Sequence, residues 1–305
     1  MRTVVQRAND PYLYLWVRGE WYCYNPMEEP LGSGAMGDVY LGYRCRTGEL
    51  VAVKRVKDFY ANNRQIRERA RQEASLTFRH PNLVEMVGYC EYAPDVGPIF
   101  ILSHYVQGED SDVYVRRFAQ SPGRVDKICK VVAYVLDALA YVHSRGVVHR
   151  DVKPSNIMVE NGTNVRLMDL GIARMNGGNK FSSFGFIGTP EYAAPEQLLR
   201  GQNGEEADIN ATTDIYALGL TFYELLTGKN PMACASEAET LTRQMKMKLP
   251  DSTAVPKRLM QVIWKATEKD QKKRYQTAQE FKRAIQEALQ PEPSLLQKIM
   301  NKLWN

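Results

Sequence analysis

The stretch His149-Arg150-Asp151-Val152-Lys153-Pro154-Ser155-Asn156 decides the reading, together with Asp169-Leu170-Gly171, which begins thirteen residues after Asn156. Two aspartates and an asparagine at this spacing supply one group able to accept a hydroxyl proton. They also supply two oxygen ligands suited to hard divalent cations. Turn-forming Asp and Asn on a helical surface would account for any one of these residues. They do not account for the whole series, which continues downstream to Ala194-Pro195-Glu196.

Working upstream, Leu31-Gly32-Ser33-Gly34-Ala35-Met36-Gly37-Asp38-Val39 has glycines where backbone N–H groups can approach phosphate oxygens without Cβ obstruction. The same glycine spacing serves dinucleotide folds, but there a helix should follow. Here Val39-Tyr40-Leu41-Gly42 continues as a strand. Fifteen residues after Val39, Lys54 closes the apolar run Val51-Ala52-Val53. Alone it would read as an edge lysine reaching solvent. Nineteen residues later comes Glu73, in a segment (61–78) with helical spacing. Ile66, Ala70, Glu73 and Thr77 share one face, while Arg64, Arg67 and Arg71 point elsewhere. A carboxylate on an inward stripe needs a cation opposite it, and a Lys54–Glu73 pair would leave the ammonium free to hold phosphates.

Composition bounds the rest. The 305 residues carry 40 Lys+Arg against 35 Asp+Glu, a net charge of +5, with 44% apolar and 25% charged residues. At about 150 residues per domain this is two domains or one two-lobed unit, folded and mildly basic, with no nucleic acid expected. No apolar run approaches the roughly 20 residues that cross a bilayer, and residues 1–11 hold no signal-peptide core. Five scattered cysteines without a C-x-x-C pair fit reduced thiols, so the expectation is a cytoplasmic protein without a transmembrane segment. Tyr12, Tyr14 and Trp16 alternate ahead of Arg18-Gly19-Glu20 and Trp21 to Tyr24, the pattern of a hairpin. Strands are also expected at 50–56 and 99–102, and helices at 128–142, 213–227, 256–267 and 277–289.

Jointly these motifs resemble the eukaryotic-type Ser/Thr protein kinases, in a bacterial-like form, over residues 29–289. The resemblance implies an α+β, two-lobed protein kinase fold, with an antiparallel β-sheet N-lobe and a mainly helical C-lobe. Residues 29–106 would form the N-lobe and 107–290 the C-lobe. An extension, 1–28, would place its hairpin over the N-lobe sheet, and 291–305 would be an amphipathic tail packed on the kinase body or against a partner. The implied activity is transfer of the ATP γ-phosphate to Ser/Thr hydroxyls of protein substrates, with autophosphorylation. Mg²⁺ is the implied metal, with Mn²⁺ able to substitute.

In that resemblance Asp151 is the catalytic base, Lys153 steadies the γ-phosphate, Lys54 and Glu73 pair on the α/β phosphates, and Asn156 and Asp169 hold metal. Residues 31–37, with Val39, Ala52, Ser103, His104, Tyr105 and Val106, would complete the ATP site. Ser103 at the back of the adenine pocket implies room for bulky ATP analogues. Thr189 would line the acceptor site, which with Lys153 points to Ser/Thr over Tyr. Asp214, Glu196 and Arg274 would be structural.

Leu170 replaces a phenylalanine, and the link from Glu73 to Pro81 is short, which leaves Glu68 as an alternative on another helix face. Arg69, Arg150 and Arg174 would converge on an activation-segment phosphate, for which Ser183, then Ser182, are candidates. A catalytically silent nucleotide-binding module is the competing class, disfavoured because Lys54, Glu73, Asp151, Asn156 and Asp169 all stand in place.

Overall fold

Alternating apolar residues on either side of Arg18-Gly19 produce a tight hairpin, and this hairpin sets the form of the whole N-terminal half. In a computed structural model, strand β2 (Leu13–Val17) pairs antiparallel with β3 (Glu20–Tyr24) after β1 (Val4–Gln6). Val17 pairs with Glu20 across a two-residue turn whose φ angles, 48° at Arg18 and 85° at Gly19, are those that match strand twist. The structure describes residues 3–34, 37–61, 63–75, 77–93, 96–169, 189–198 and 208–291, the side chains at 59, 60, 65, 69 and 72–74 excepted.

The sheet continues through β4 (Gly32–Ser33), β5 (Gly37–Arg44) and β6 (Leu50–Val56). After α1 (Asp58–Ala61) and α2 (Arg64–Ser75) it is completed by β7 (Met86–Ala93) and β8 (Val96–His104). The order is β1-β2-β3-β5-β6-β8-β7, with β4 on β5 and every pair antiparallel. The hairpin was expected to lie over the sheet. Instead β3 is itself hydrogen-bonded to β5, and the extension lengthens the sheet until it rolls round on itself. The Thr3 hydroxyl donates to the Glu91 carbonyl at 2.5 Å, and the Cys90 thiol donates to the Thr3 carbonyl at 3.2 Å. At the seam Gly88 sits so close to Val17 that an added Cβ would lie 2.6 Å from Val17 Cγ1.

Strand alternation then gives the lobe two cores. Val4, Leu15, Val17, Tyr24, Val53, Phe100 and Leu102 fill the inside of the roll. On the opposite face Val56, Ile99 and Ile101 pack against Ile66 and Ala70 of α2. The helix expected over 61–78 is broken near Asn63, whose side chain caps the Ile66 N–H, and it ends at Ser75. Arg67, expected to face outward, is fully buried; its guanidinium reaches Glu91 on β7 at 2.7 Å and the Gly97 carbonyl.

Beyond β9 (Gly108–Asp110) and α3 (Ser111–Arg116) the chain is mainly helical. Helix α4 (Arg124–His143) leads through residues 149–156 to β10 (Ile157–Glu160) and β11 (Asn164–Leu167), and these two form a small sheet with β9. Then come α5 (Pro195–Leu198), α6 (Ala211–Thr227), α7 (Glu237–Lys246), α8 (Lys257–Ala266) and α9 (Ala278–Leu289). Helix α6 is apolar nearly all round and buried accordingly, capped by Asn210 at its start and by Gly228 (φ 77°) at its end. Leu136, Leu139, Leu218, Phe222, Ile263 and Phe281 of α4, α6, α8 and α9 make one continuous core. Among the described residues no helix is long and apolar enough to cross a membrane.

Candidate active site

The loop after α4 holds its geometry because a buried carboxylate collects its donors. Asp214, in the first turn of α6, accepts the backbone N–H of His149 at 2.7 Å and of Arg150 at 2.6 Å, and lies 2.7 Å from His143 Nε2. Burial alone would raise this carboxyl; His143 and the Arg150 N–H more than offset that and hold it below the usual carboxylate range. The bonds also stabilise Arg150 at φ 68°, a conformation that costs a non-glycine residue about 1–3 kcal/mol. His149 is buried, and burial pushes its imidazole below the ordinary histidine range. It accepts the Asp151 N–H on Nδ1 at 3.3 Å, so Nε2 donates to the Met168 carbonyl at 2.8 Å. One ring therefore ties the loop carrying Asp151 to the segment carrying Asp169.

Asp151, Lys153, Asn156 and Thr189 meet at one place. Asn156 Nδ2 donates to the Asp151 carbonyl at 2.7 Å and to Asp151 Oδ2 at 3.2 Å. Lys153 Nζ lies 3.4 Å from the same Oδ2 and donates to Thr189 Oγ1 at 2.7 Å. The Asp151 carboxylate is thereby fixed by an amide and an ammonium. Across from it, Lys54 Nζ is 2.9 Å from Asp169 Oδ2, and this ammonium holds the Asp169 carboxyl below its ordinary range. Asp169 has φ 42°, a second non-glycine residue in the left-handed region beside the reacting groups.

The wall above them is the sheet face shared by Val39, Ala52, Lys54 and Ser103. Lys54 stands opposite both Val39 and Ile101, and Ala52 opposite Ser103. Below Ser103 the chain leaves the sheet through His104, Tyr105 and the buried Val106, with the Tyr105 N–H donating to the Leu50 carbonyl. Leu31, Gly32 and Ser33 are exposed at the rim, and the Gly34 N–H closes on the Gly37 carbonyl at 2.9 Å. Ala35, Met36, Leu170, Arg174, Ser182 and Ser183 lie outside the described residues, as do the side chains of Arg69 and Glu73. Glu68 stands exposed on α2, so this alternative carboxylate is turned to solvent, whereas the placement of the Glu73 side chain relative to Lys54 lies outside the described residues.

On the far side of Thr189 the chain is fastened to the helical core. Glu196 and Arg274 form a bidentate pair at 2.8 and 2.9 Å. The other guanidinium bonds of Arg274 go to the carbonyls of Glu268, Thr212 and Lys269. Burial pushes the Glu196 carboxyl up, and Arg274 more than reverses it. Gln197 donates to the Arg150 carbonyl at 3.2 Å, and the Tyr192 hydroxyl to Glu224 at 2.5 Å. His143, Glu91 and Glu224 were not singled out from the sequence. No local spacing marks them, since each acts on a partner more than twenty residues away.

The protein kinase domain family matches this chain over residues 26–291. The chain belongs to that family. Curated relatives place it in the eukaryotic-like serine/threonine group, as the motifs implied. It is similar to the serine/threonine-protein kinase PrkC of Bacillus subtilis, 30% identical over 265 residues covering 85% of this chain and 39% of that protein. It is also similar to PknB of Mycobacterium tuberculosis, 32% identical over 284 residues covering 89% of this chain and 44% of the relative. The chain thus spans less than half the length of these relatives. Among solved structures, the Mycobacterium tuberculosis PknI kinase domain aligns over 94% of this chain and 99% of its own, at 26% identity and TM-score 0.63. The two-lobed kinase fold expected from the motifs is the fold of this kinase domain, and its family uses ATP with a divalent metal on protein substrates.

Proposed function

We propose that this kinase domain transfers the γ-phosphate of ATP to serine and threonine hydroxyls of proteins, its own included. The observation that carries the reading is the Asp151–Lys153–Thr189 arrangement, with one carboxylate oxygen held by Asn156 and Lys153 and the ammonium bridging on to Thr189. An incoming hydroxyl hydrogen-bonded to Asp151 is oriented with its oxygen towards the phosphorus. As the new O–P bond forms and the β,γ bridging bond breaks, ADP leaves with the electron pair and the hydroxyl proton passes to Asp151. Lys153 and Lys54 neutralise the charge spread over the phosphate oxygens, so positioning and electrostatics carry most of the acceleration.

The donor set fits a hard divalent ion. With Nδ2 spent on Asp151, Asn156 has its amide oxygen to offer, and Asp169 adds a carboxylate; two such oxygens suit Mg²⁺, or Mn²⁺, whose remaining ligands come from phosphate and water. When bound, the ion would neutralise the nucleotide phosphates. ATP as phosphate donor and the scattered thiols support a cytoplasmic setting. Ser183, then Ser182, is the proposed internal acceptor, with Arg150 in the pocket for its phosphate.

The test is ³²P transfer from Mg-ATP to itself and to casein, with Asp151→Asn alongside. Loss of about 10²–10⁴-fold in rate is expected. Equal incorporation by wild type and Asp151→Asn would remove the catalytic assignment, and retained activity in Ser182→Ala/Ser183→Ala would remove the activation-segment role.

A further inference from the structure

We propose that Gln244 of α7 is a positioning residue for the protein acceptor, the end of a buried hydrogen-bond chain Lys269–Tyr216–Gln244 that fixes the carbonyl of Pro190. The inference rests on the kinase reading above and extends it to a part of the fold outside the reacting groups.

The segment that carries Thr189 turns through Pro190 to Tyr192 in one 3₁₀ turn. Within the turn, the Tyr192 N–H donates to the Thr189 carbonyl at 3.1 Å and the Ala193 N–H to the Pro190 carbonyl at 3.2 Å. Two side-chain amides grip it from outside. Gln244 Nε2 donates to the Pro190 carbonyl at 3.1 Å, and Asn230 Nδ2 to the Glu191 carbonyl at 3.0 Å. Consecutive carbonyls are therefore held by neighbouring amides, and the Thr189 hydroxyl next to them receives Lys153.

Gln244 is fully buried, as is Tyr216 behind it. The Tyr216 hydroxyl lies 2.6 Å from Gln244 Oε1, and Lys269 Nζ lies 2.6 Å from the Tyr216 oxygen. The inventory of protons fixes the direction of the chain. As an ammonium Lys269 can only donate, so the Tyr216 oxygen accepts, and its single proton goes to Gln244 Oε1. The amide is left with Nε2 facing Pro190. A flipped amide would set its oxygen against the Pro190 carbonyl and its NH₂ against a hydroxyl, losing both bonds. Arg274, stacked 4.7 Å from the Tyr216 ring centroid, ties this chain to the Glu196 anchor. The bonds of the chain run within the helical lobe to the turn after Thr189, so its effect falls on acceptor geometry.

The experiment compares Gln244→Leu, Gln244→Glu and Gln244→His in steady-state transfer from Mg-ATP to casein, with KM measured for each substrate. Leu and Glu remove the donor to Pro190, so KM for casein should rise about five- to tenfold, one hydrogen bond's worth, while KM for ATP stays within twofold. His keeps one donor and one acceptor and should recover most of the loss. Tyr216→Phe should act like Gln244→Leu, and the double variant should add nothing further. An unchanged casein KM, or equal rises in both KM values, overturns the proposal. Amide hydrogen exchange at Ala193, whose N–H shares the Pro190 carbonyl, gives a second readout free of catalysis. Faster exchange in Gln244→Leu but not in Gln244→His supports the chain, and equal exchange in all three overturns it. Absent transfer by the wild type would overturn the kinase reading alone, because the exchange readout still decides the role of Gln244.

Discussion

Among the described residues, Arg67 in the sheet lobe and Arg274 in the helical lobe both have side chains shut off from solvent, and the two are treated very differently. Arg274, in the helical lobe, makes five hydrogen bonds, two to Glu196 and three to backbone carbonyls, using every donor a guanidinium has. Arg67, on α2 of the sheet lobe, reaches Glu91 and the Gly97 carbonyl, but its Nε has no hydrogen-bond partner among the described residues. Glu91 is moreover shared, with Arg71 at 2.8 Å and the Tyr89 hydroxyl at 3.1 Å. The first arrangement is saturated and ties down the segment that follows Thr189. The second leaves a charge under-satisfied beneath a helix packed on a small core. The C-lobe fastening is thus fixed, whereas α2 sits on a contact that yields more readily.

The largest expected effect breaks the saturated side. Arg274→Met strands Glu196 and three carbonyls, and should lower stability by about 3–5 kcal/mol, read as a shift of the urea midpoint. Glu91→Gln comes next. It leaves Arg67 charged and buried without its counter-ion, costing about 2–3 kcal/mol, and should also lower phosphate transfer if Glu73 of α2 has the role proposed for it beside Lys54. Arg67→Met removes the under-satisfied charge itself, so about 1–2 kcal/mol is expected. If Arg67→Met costs as much as Arg274→Met, the contrast between the lobes is wrong.

The smallest effects are in the pH profile, which should be dominated by the C-lobe. Asp214 and Glu196 are held below their unfolded values, so their stabilisation is complete above the unfolded carboxylate range and is lost as pH falls through their folded values. Lys269 is pulled down to about 8, by burial first and then by Arg274, with Glu268 opposing. Folding makes the ammonium less favourable than it is in the unfolded chain, so it loses its proton near pH 8 and stability should climb between there and the unfolded lysine value near 10.4. Thermal melts of wild type and Lys269→Met across pH 7–10 check the sign. A wild type that loses ground to the variant as pH rises would contradict it.

The catalytic loop was legible because its chemistry dictates residue types at short spacing, and His149 to Asn156 holds them within eight positions. The hairpin was legible as two strands, since Tyr14, Trp16, Trp21 and Cys23 alternate with its buried residues. Its destination was not, because the roll of the sheet is decided at Thr3, Val17 and Gly88, residues that meet only in three dimensions. Arg67 was misplaced for a related reason. Helical periodicity assigns arginine to the outer face, and only the carboxylate on β7, twenty-four positions on, makes burial tolerable. The Lys269–Tyr216–Gln244 chain likewise joins three helical-lobe segments with no spacing of their own.

The rolled sheet has a practical consequence for anyone shortening this chain. The family match begins at residue 26, yet β1, β2 and β3 all lie before it. A protein started there would keep β4 on β5 but bare the Gly42–Arg44 stretch that now pairs with β3, leaving its backbone donors and acceptors unpaired. It would also uncover Val51, Val53, Phe100 and Leu102, which these strands now shield. Such an edge recruits strands from other molecules, so the trimmed protein should precipitate or oligomerise where the full one does not. Residues 3–24 act as the stave that joins the two ends of the rolled sheet.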